Sequence, residues 1–484
     1  MITIRLFLLL FAVSLKAEPP RLVAVIVVDQ MRADYVADAG QKYQGGFARL
    51  VREGAVFTQA RHGHVPTQTP PGHAALSTGR FPREHGIVGQ SWWDHERNVW
   101  RPTLLDSEGR TSPESIMVDT LGDALKKKSP GSEVVSISGK DRGAVLMGGK
   151  RADLVLWYDE DTGAFVTSTY YPRAPGWVKN WNGNNKVKPE RRKSIHWDIN
   201  FDQLTLSLAR RAVEEERLGQ HKVPDLLLLS LSGTDLVGHR WGPDSPQMSR
   251  QLGSLDREVG SFLDFLDRMV GAEGYTAVLT SDHGVLPTPE SERGKAMGAR
   301  RVQRKDIETR VSALLAHALG EPPAGSSWVG TISPPHVYLN TLLAKQREVD
   351  AAALRRAAVS ALESQSEVAK AYLPEDMTVN RLSGGTYGEV FRRSVYPGRS
   401  GDVLILLKPG VLVADDETST GHSTPYDYDA RVPMILLGTG IRPGSYDGSI
   451  LTTCLAPTLG RLLDVPFTPG EDSRVLEEAL TKPQ

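Results

Sequence analysis

The 484-residue chain has a single cysteine, Cys454, which excludes any internal disulfide and any cysteine-based zinc site. Neither sign of charge is in excess. Fifty-seven Lys and Arg stand against 58 Asp and Glu, so the strong global field of a general nucleic-acid binder is absent. No apolar run approaches the roughly 20 residues of a membrane-spanning helix, and there is neither an internal repeat nor a low-complexity tract. What remains is an ordinary globular composition, 40% hydrophobic and 24% charged, with length enough for a large core. Any attraction for an anionic ligand must be built locally.

At the N-terminus Arg5 precedes the apolar run Leu6–Val13, and Lys16-Ala17-Glu18 follows. Too short to span a bilayer, this pattern reads as a signal peptide over residues 1–17, followed by a mature chain from residue 18. It implies export to the periplasm or the exterior. With no cysteine near the cleavage point, no stable membrane anchor is expected.

Leu22–Val28 is a continuous β-branched and apolar run ending at Asp29, the pattern of a strand buried on both faces. Runs at 225–231, 277–280 and 432–437 read alike, the first two leading to Asp235 and Asp282. Helical patterns at 202–217 and 248–269 lie among them. Strands alternating with helices predict an α/β fold, a three-layer core with a mostly parallel sheet flanked by helices. Ligands of such sheets bind beyond the carboxyl ends of the strands, where these Asp residues stand. Stretches of about 88–200 and 295–415 are richer in Pro, Gly, Trp and charge and read as cap insertions within one catalytic domain spanning 18–484.

Four segments carry metal-binding side chains: Asp29; Gly233–His239 with Asp235 and His239 four residues apart; Ser281-Asp282-His283-Gly284; and Gly421-His422-Ser423-Thr424-Pro425. Singly, each has an ordinary reading as a helix cap, a turn or a core histidine. Jointly, three Asp and three His at one sheet edge match what two borderline dications such as zinc require. Of the other histidines, His73 and His85 are expected to order loops. His62, His64, His95, His196, His221, His317 and His336 are read as structural.

Thr69 stands directly before Pro70 and Pro71, so it is expected at a helix N-terminus. Exposed N–H groups there favour an alkoxide and a phosphate, although a threonine in that place can equally serve as a cap. With Pro66-Thr67-Gln68-Thr69-Pro70-Pro71-Gly72-His73 and the metal segments in this order, the chain resembles the alkaline phosphatase superfamily. Within it, the likeness is strongest to the threonine-nucleophile periplasmic alkaline phosphatases, which are related to the type I phosphodiesterase/nucleotide pyrophosphatases. It covers essentially the whole mature chain.

That resemblance implies two zinc ions, one on Asp235, His239 and His422, the other on Asp29, Asp282 and His283 with Thr69 also bound to it. It selects Thr69 over Thr67 as nucleophile and implies a phospho-threonine intermediate. It also assigns the segment Ser138-Gly139-Lys140-Asp141-Arg142-Gly143, whose Lys140 and Arg142 are implied to grip the phosphoryl oxygens of a monoester. A monoester carries an extra non-bridging charge that a guanidinium fork and an ammonium answer, whereas a diester puts an organic group there. At Gln90 the chain departs from the family, which has Asn; the amide is implied to donate to a phosphoryl oxygen.

The expected activity is therefore metal-dependent hydrolysis of small-molecule phosphate monoesters. The alternative on the same core is a phosphodiesterase or nucleotide pyrophosphatase, with Trp92 or Trp93 as a stacking face for a base. Lys140 and Arg142 argue against it. A sulfatase would need a Cys/Ser-x-Pro-x-Arg nucleophile segment, which is absent, and a decayed metal-binding protein would not keep Thr69 with all six ligands.

Overall fold

All seven residues of the first strand, Leu22–Val28, are buried, and they divide between two cores. Leu22, Ala24, Ile26 and Val28 point to one cluster and Val23, Val25 and Val27 to the other, as the two-residue period of a strand requires. Burying each of its Leu, Ile and Val side chains is worth about 1.5–3 kcal/mol. This strand is therefore the centre of a three-layer sandwich. A computed structural model describes residues 18–192, 194, 195, 198, 201–377, 387–414 and 420–481. The expected signal segment 1–17 and His196 lie outside the described residues.

Among the described residues, the main sheet has nine strands: β1 (Leu22–Val28), β2 (Ala55–Arg61), β3 (Val134–Ser138), β4 (Leu154–Asp159), β5 (Ala164–Val166), β6 (Asp225–Leu231), β7 (Tyr275–Thr280), β8 (Met434–Gly438) and β9 (Gly444–Leu451). Their order is β9-β2-β8-β7-β1-β6-β3-β4-β5. β7, β1, β6, β3 and β4 pair in parallel. One face is covered by helices including Phe201–Glu215 and Pro246–Met269, close to the expected 202–217 and 248–269. The other is covered by Thr69–Thr78, Leu121–Lys128, Asp141–Gly148 and Leu455–Leu462.

Two features differ from the sequence reading. β8 is antiparallel to both β7 and β2, although its apolar run resembles those of the parallel strands. The stretch 88–200, read as a cap insertion, supplies β3, β4 and β5 to the main sheet. The apolar run of β3 is interrupted by Ser136 and Ser138, both buried. Ser136 is tolerated because its hydroxyl donates to the Ala144 carbonyl at 2.7 Å, a bond that residue type alone does not reveal.

Within the stretch 295–415, a four-stranded antiparallel sheet joins 329–333, 336–339, 403–407 and 368–372. Helices Arg304–Leu319 and Ala351–Glu363 pack on it around their own core, which includes the fully buried Trp328. It meets the hairpin formed by Ser91–Asp94 and Val99–Pro102, where Tyr338 packs edge-on to Trp100 at 5.2 Å. No helix of the described residues is long and apolar enough to cross a membrane.

Candidate metal centre

The parallel strands β1, β6 and β7 end side by side, and each hands its chain to ligand residues. Asp29 follows β1, and Asp282 with His283 follow β7. Asp235 and His239 sit one turn apart on helix Gly233–Trp241, just after β6, with His239 Nε2 3.1 Å from Asp235 Oδ1. The direction of β8 explains how His422 joins them. An antiparallel strand begins where its parallel neighbours end, so the loop ahead of it lies on their carboxyl edge.

Asp235 Oδ1, His239 Nε2 and His422 Nε2 lie 3.1, 3.3 and 3.9 Å apart. His283 Nε2 is 3.5 Å from Asp29 Oδ1 and 3.6 Å from Asp282 Oδ2. Four ligands placed tetrahedrally at zinc distances of about 2.0–2.1 Å stand roughly 3.3 Å apart, so these spacings suit an ion. Asp29 Oδ1 and His283 Nε2 are buried with no hydrogen-bond partner. Orphaned polar atoms of this kind are costly unless a cation answers them. Ligand atoms of Asp29, Asp282 and His283, and of Asp235, His283 and His422, fall into two groups within 4.8 Å, with His283 common to both. The residues present fit a divalent metal centre.

Each imidazole is fixed from behind. His239 Nδ1 donates to the Thr420 carbonyl at 3.2 Å, His283 Nδ1 to Gly284 at 2.9 Å and His422 Nδ1 to Thr67 at 2.7 Å. A proton held on Nδ1 leaves the Nε2 lone pair for a metal. Burial pushes the Asp29 carboxyl up to about 8, helped by the neighbouring Asp235 and Asp282. Burial also opposes the Asp235 anion, but Lys140 and His239 outweigh it and hold that carboxyl well below the usual range. Asp282 is likewise held low by His283 and His73 against the effect of burial. His422 is driven well below an ordinary histidine by burial and by His283 and His239 beside it. Three carboxylates this close sustain their charge only with cations among them.

Thr69 opens helix Thr69–Thr78, with Pro70 and Pro71 in its first turn, and is 3% exposed. This helix reaches the cluster because residue 72 is glycine: a Cβ there would stand 2.2 Å from the Asp282 carbonyl oxygen. His73 ties the two together, its Nδ1 lying 2.8 Å from the Thr69 carbonyl and 3.2 Å from Asp282 Oδ2, its Nε2 2.9 Å from Ser230 Oγ. The Thr67 hydroxyl is committed elsewhere, donating to the Thr424 carbonyl at 3.0 Å.

Lys140 precedes helix Asp141–Gly148 and sends its ammonium into the cluster, 2.6 Å from Asp29 Oδ2 and 2.5 Å from Asp235 Oδ2. Arg142 bonds Asp141 through Nη1 at 2.8 Å. The Gln90 side chain is exposed, while its backbone carbonyl accepts from Thr103 N–H at 3.0 Å.

Two residues not singled out from sequence shape the His422 loop. Buried Asp429 accepts from the N–H groups of Ser423 and Thr424 and from the Thr424 hydroxyl, at 3.1, 2.9 and 2.6 Å. Gln68 donates to Ser423 Oγ at 2.9 Å. The signal for Asp429 is a carboxylate a few residues beyond a ligand histidine, where N–H groups of a tight loop need an acceptor. His85 does order its loop, Nδ1 accepting from Ile87 N–H at 3.0 Å. Trp92 is buried under the Arg399 guanidinium, 4.7 Å from its ring, and Trp93 packs edge-on to Trp100.

The model of the type I phosphodiesterase/nucleotide pyrophosphatase family matches residues 23–430. The chain belongs to that family. Among family relatives, the alkaline phosphatase PhoK of Sphingomonas sp is 31% identical over 521 residues, spanning 96% of this chain and 92% of PhoK. The crystal structure of wild-type alkaline phosphatase PafA superposes with a TM-score of 0.88 at 26% identity, covering 96% of this chain and 99% of PafA. Ectonucleotide pyrophosphatase/phosphodiesterase family member 1 of Mus musculus is 23% identical over 275 residues, 55% of this chain and 24% of that protein.

Proposed function

We propose that the chain is an alkaline phosphatase: it hydrolyses phosphate monoesters and releases inorganic phosphate, with Thr69 as nucleophile and two zinc ions as cofactors. The observation that carries this reading is sequence likeness to an alkaline phosphatase at 31% identity along 96% of the chain, with a TM-score of 0.88 to another, against 23% identity over 55% of the chain to a nucleotide pyrophosphatase. Asp235, His239 and His422 would hold one ion, Asp29, Asp282 and His283 the other, with the Thr69 oxygen next to the second. When bound, two such ions supply Lewis acidity that lowers the pKa of a hydroxyl and neutralises charge on phosphoryl and leaving oxygens.

The chain's own part is positioning. Thr69 Oγ attacks phosphorus at a helix N-terminus whose N–H groups favour anions. A P–O bond forms to Thr69, which gives up its hydroxyl proton, as the bond to the leaving oxygen breaks. That oxygen takes up a proton and departs as the alcohol. Water then displaces Thr69, one water proton returning to the Thr69 oxygen and the OH staying on phosphate. Lys140 and Arg142 answer the extra charge of a monoester. Trp92 is buried beneath the Arg399 guanidinium, which weighs against it as a stacking face for a nucleotide diester. Export to the periplasm or exterior is part of the same proposal, supported by the pattern of residues 1–17; N-terminal sequencing of the mature protein tests it.

The function is tested by stripping the protein with chelator and following phosphate release from an aryl phosphate monoester. Activity is expected to vanish and to return best with zinc, since imidazole ligands favour it over magnesium. Full turnover by a protein shown to contain no metal would end the reading.

A further inference from the structure

Gln30 follows the ligand Asp29 and is completely buried, yet its φ is 65°, a left-handed conformation uncommon for a residue with a Cβ. Its two donors go to two different ligands. The side-chain Nε2 donates to Asp235 Oδ1 at 2.6 Å, and the backbone N–H to Asp282 Oδ1 at 3.2 Å. The amide orientation follows from chemistry, because an ionised carboxylate only accepts and the NH₂ must face Asp235. The next peptide continues the pairing, Met31 N–H donating to Ser281 Oγ at 2.8 Å.

Helix Gly233–Trp241 makes room for this arm. A Cβ on Gly238 would stand 2.0 Å from Gln30 Oε1, so the glycine between Asp235 and His239 is what lets the amide lie against the helix. A left-handed backbone held in a buried place is retained where its surroundings over-determine it, and such places cluster at functional sites.

We propose that Gln30 is a positioning residue that couples the two ligand trios. It orients Asp235 of one trio through its side chain and Asp282 of the other through its backbone. Ordering this one residue for the first ion thus leaves the ligands of the second already ordered, and zinc binds the pair of sites cooperatively. The proposal takes from the functional reading only the assignment of the ligands.

The test is calorimetric titration of zinc into the chelator-stripped full-length protein, comparing wild type with Gln30→Gly and Gln30→Asn. Gly adopts φ near 65° freely and Asn more readily than most residues, so both variants spare the backbone and its N–H to Asp282. Both remove the amide from Asp235, by deletion or by shortening the arm. Affinity for one of the two ions is expected to fall by about 10–100-fold, the usual size of a lost outer-shell partner, and the two binding steps to separate. Gly238→Ala, which displaces the amide without altering it, should show the same separation.

Both affinities staying within about threefold of wild type in the two Gln30 variants would overturn the proposal. So would an equal weakening of both steps accompanied by a lower Tm of the stripped protein, which marks a merely structural role. The readout is zinc binding without substrate, so absence of phosphatase activity would leave it untouched, and failure here would leave the monoesterase reading standing.

Discussion

Around the ligand cluster, every imidazole has its Nδ1 proton engaged by a backbone carbonyl and its Nε2 turned inward. Around the residues assigned to grip phosphate, the arrangement is of another kind. Lys140 spends its ammonium on Asp29 and Asp235, Arg142 bonds its neighbour Asp141, and Gln90 has an exposed side chain. The ligands hang from strand ends, one helix and the loop ahead of β8, their imidazoles locked by backbone bonds. These phosphate-gripping side chains are long, and Lys140 and Arg142 already have partners with which an incoming anion would compete. On the proposed reading, metal binding would rest on the rigid half of the site, and discrimination between monoester and diester on the adaptable half.

The largest expected effect lies at the junction of the halves. Thr69→Ala should lower kcat/KM on a monoester by on the order of 10⁴-fold or more, as loss of a nucleophile does elsewhere, while Thr69→Ser keeps a measurable fraction. Acid quenching during turnover, followed by peptide mass analysis, should find phosphate on the peptide containing Thr69 in wild type and none in the alanine variant. Wild-type turnover by Thr69→Ala would hand the role to Thr67 or to direct attack by water.

Next comes the adaptable half. Lys140→Ala and Arg142→Ala should each cost on the order of 10²-fold on a monoester. Zinc content, measured on the same samples, sharpens the comparison. Arg142→Ala should retain full zinc, because its bond in this structure goes to Asp141 and not to a ligand. Zinc lost along with activity in that variant would erase the distinction between the halves.

Buried histidines outside the cluster provide the contrast to the ligands. His336 uses both nitrogens within the protein, Nε2 donating to the Val88 carbonyl at 3.0 Å and Nδ1 accepting from Gly401 N–H at 3.2 Å. Burial pushes its pKa down to about 4, from 6.5 in an unperturbed histidine. The unfolded chain thus takes up a proton that the folded chain refuses. The stability contributed by His336 is fully present above about pH 6.5 and declines by roughly 3 kcal/mol as pH falls to about 4. Denaturant unfolding across that window should show a slope that His336→Gln flattens; an unchanged slope would mean that the ring charges in the folded state.

The smallest effect is expected at Gln90. Gln90→Ala should lower kcat/KM for a monoester by about 10-fold, as loss of one neutral donor would. Unchanged kinetics would remove Gln90 from the phosphate contacts.

Much of this architecture is legible in residue order. Strands packed on both faces must be apolar throughout, so β1, β6 and β7 are visible as runs, and the carboxylates that follow them mark the working edge. Strand direction is not written in such a run, which is why β8 reads like its parallel neighbours. β3 and β4 are hidden for a different reason: their serines and aromatic residues look like surface until their hydrogen bonds and neighbours are seen. The same holds for Gln30, which acts on Asp235 and Asp282, both distant in sequence, from a left-handed φ, and residue type alone carries no sign of either.

The central claim is that this bimetallic core is tuned for a dianionic monoester through Lys140 and Arg142. It is tested most directly by kcat/KM for an aryl phosphate monoester and its matched diester, in wild type and in the Lys140→Ala/Arg142→Ala double variant. Wild type should favour the monoester, and the double variant should lose that preference by a far larger drop on the monoester than on the diester, on the order of 10²-fold for each charge-assisted contact. A wild-type preference for the diester, or equal losses on both substrates, would contradict it.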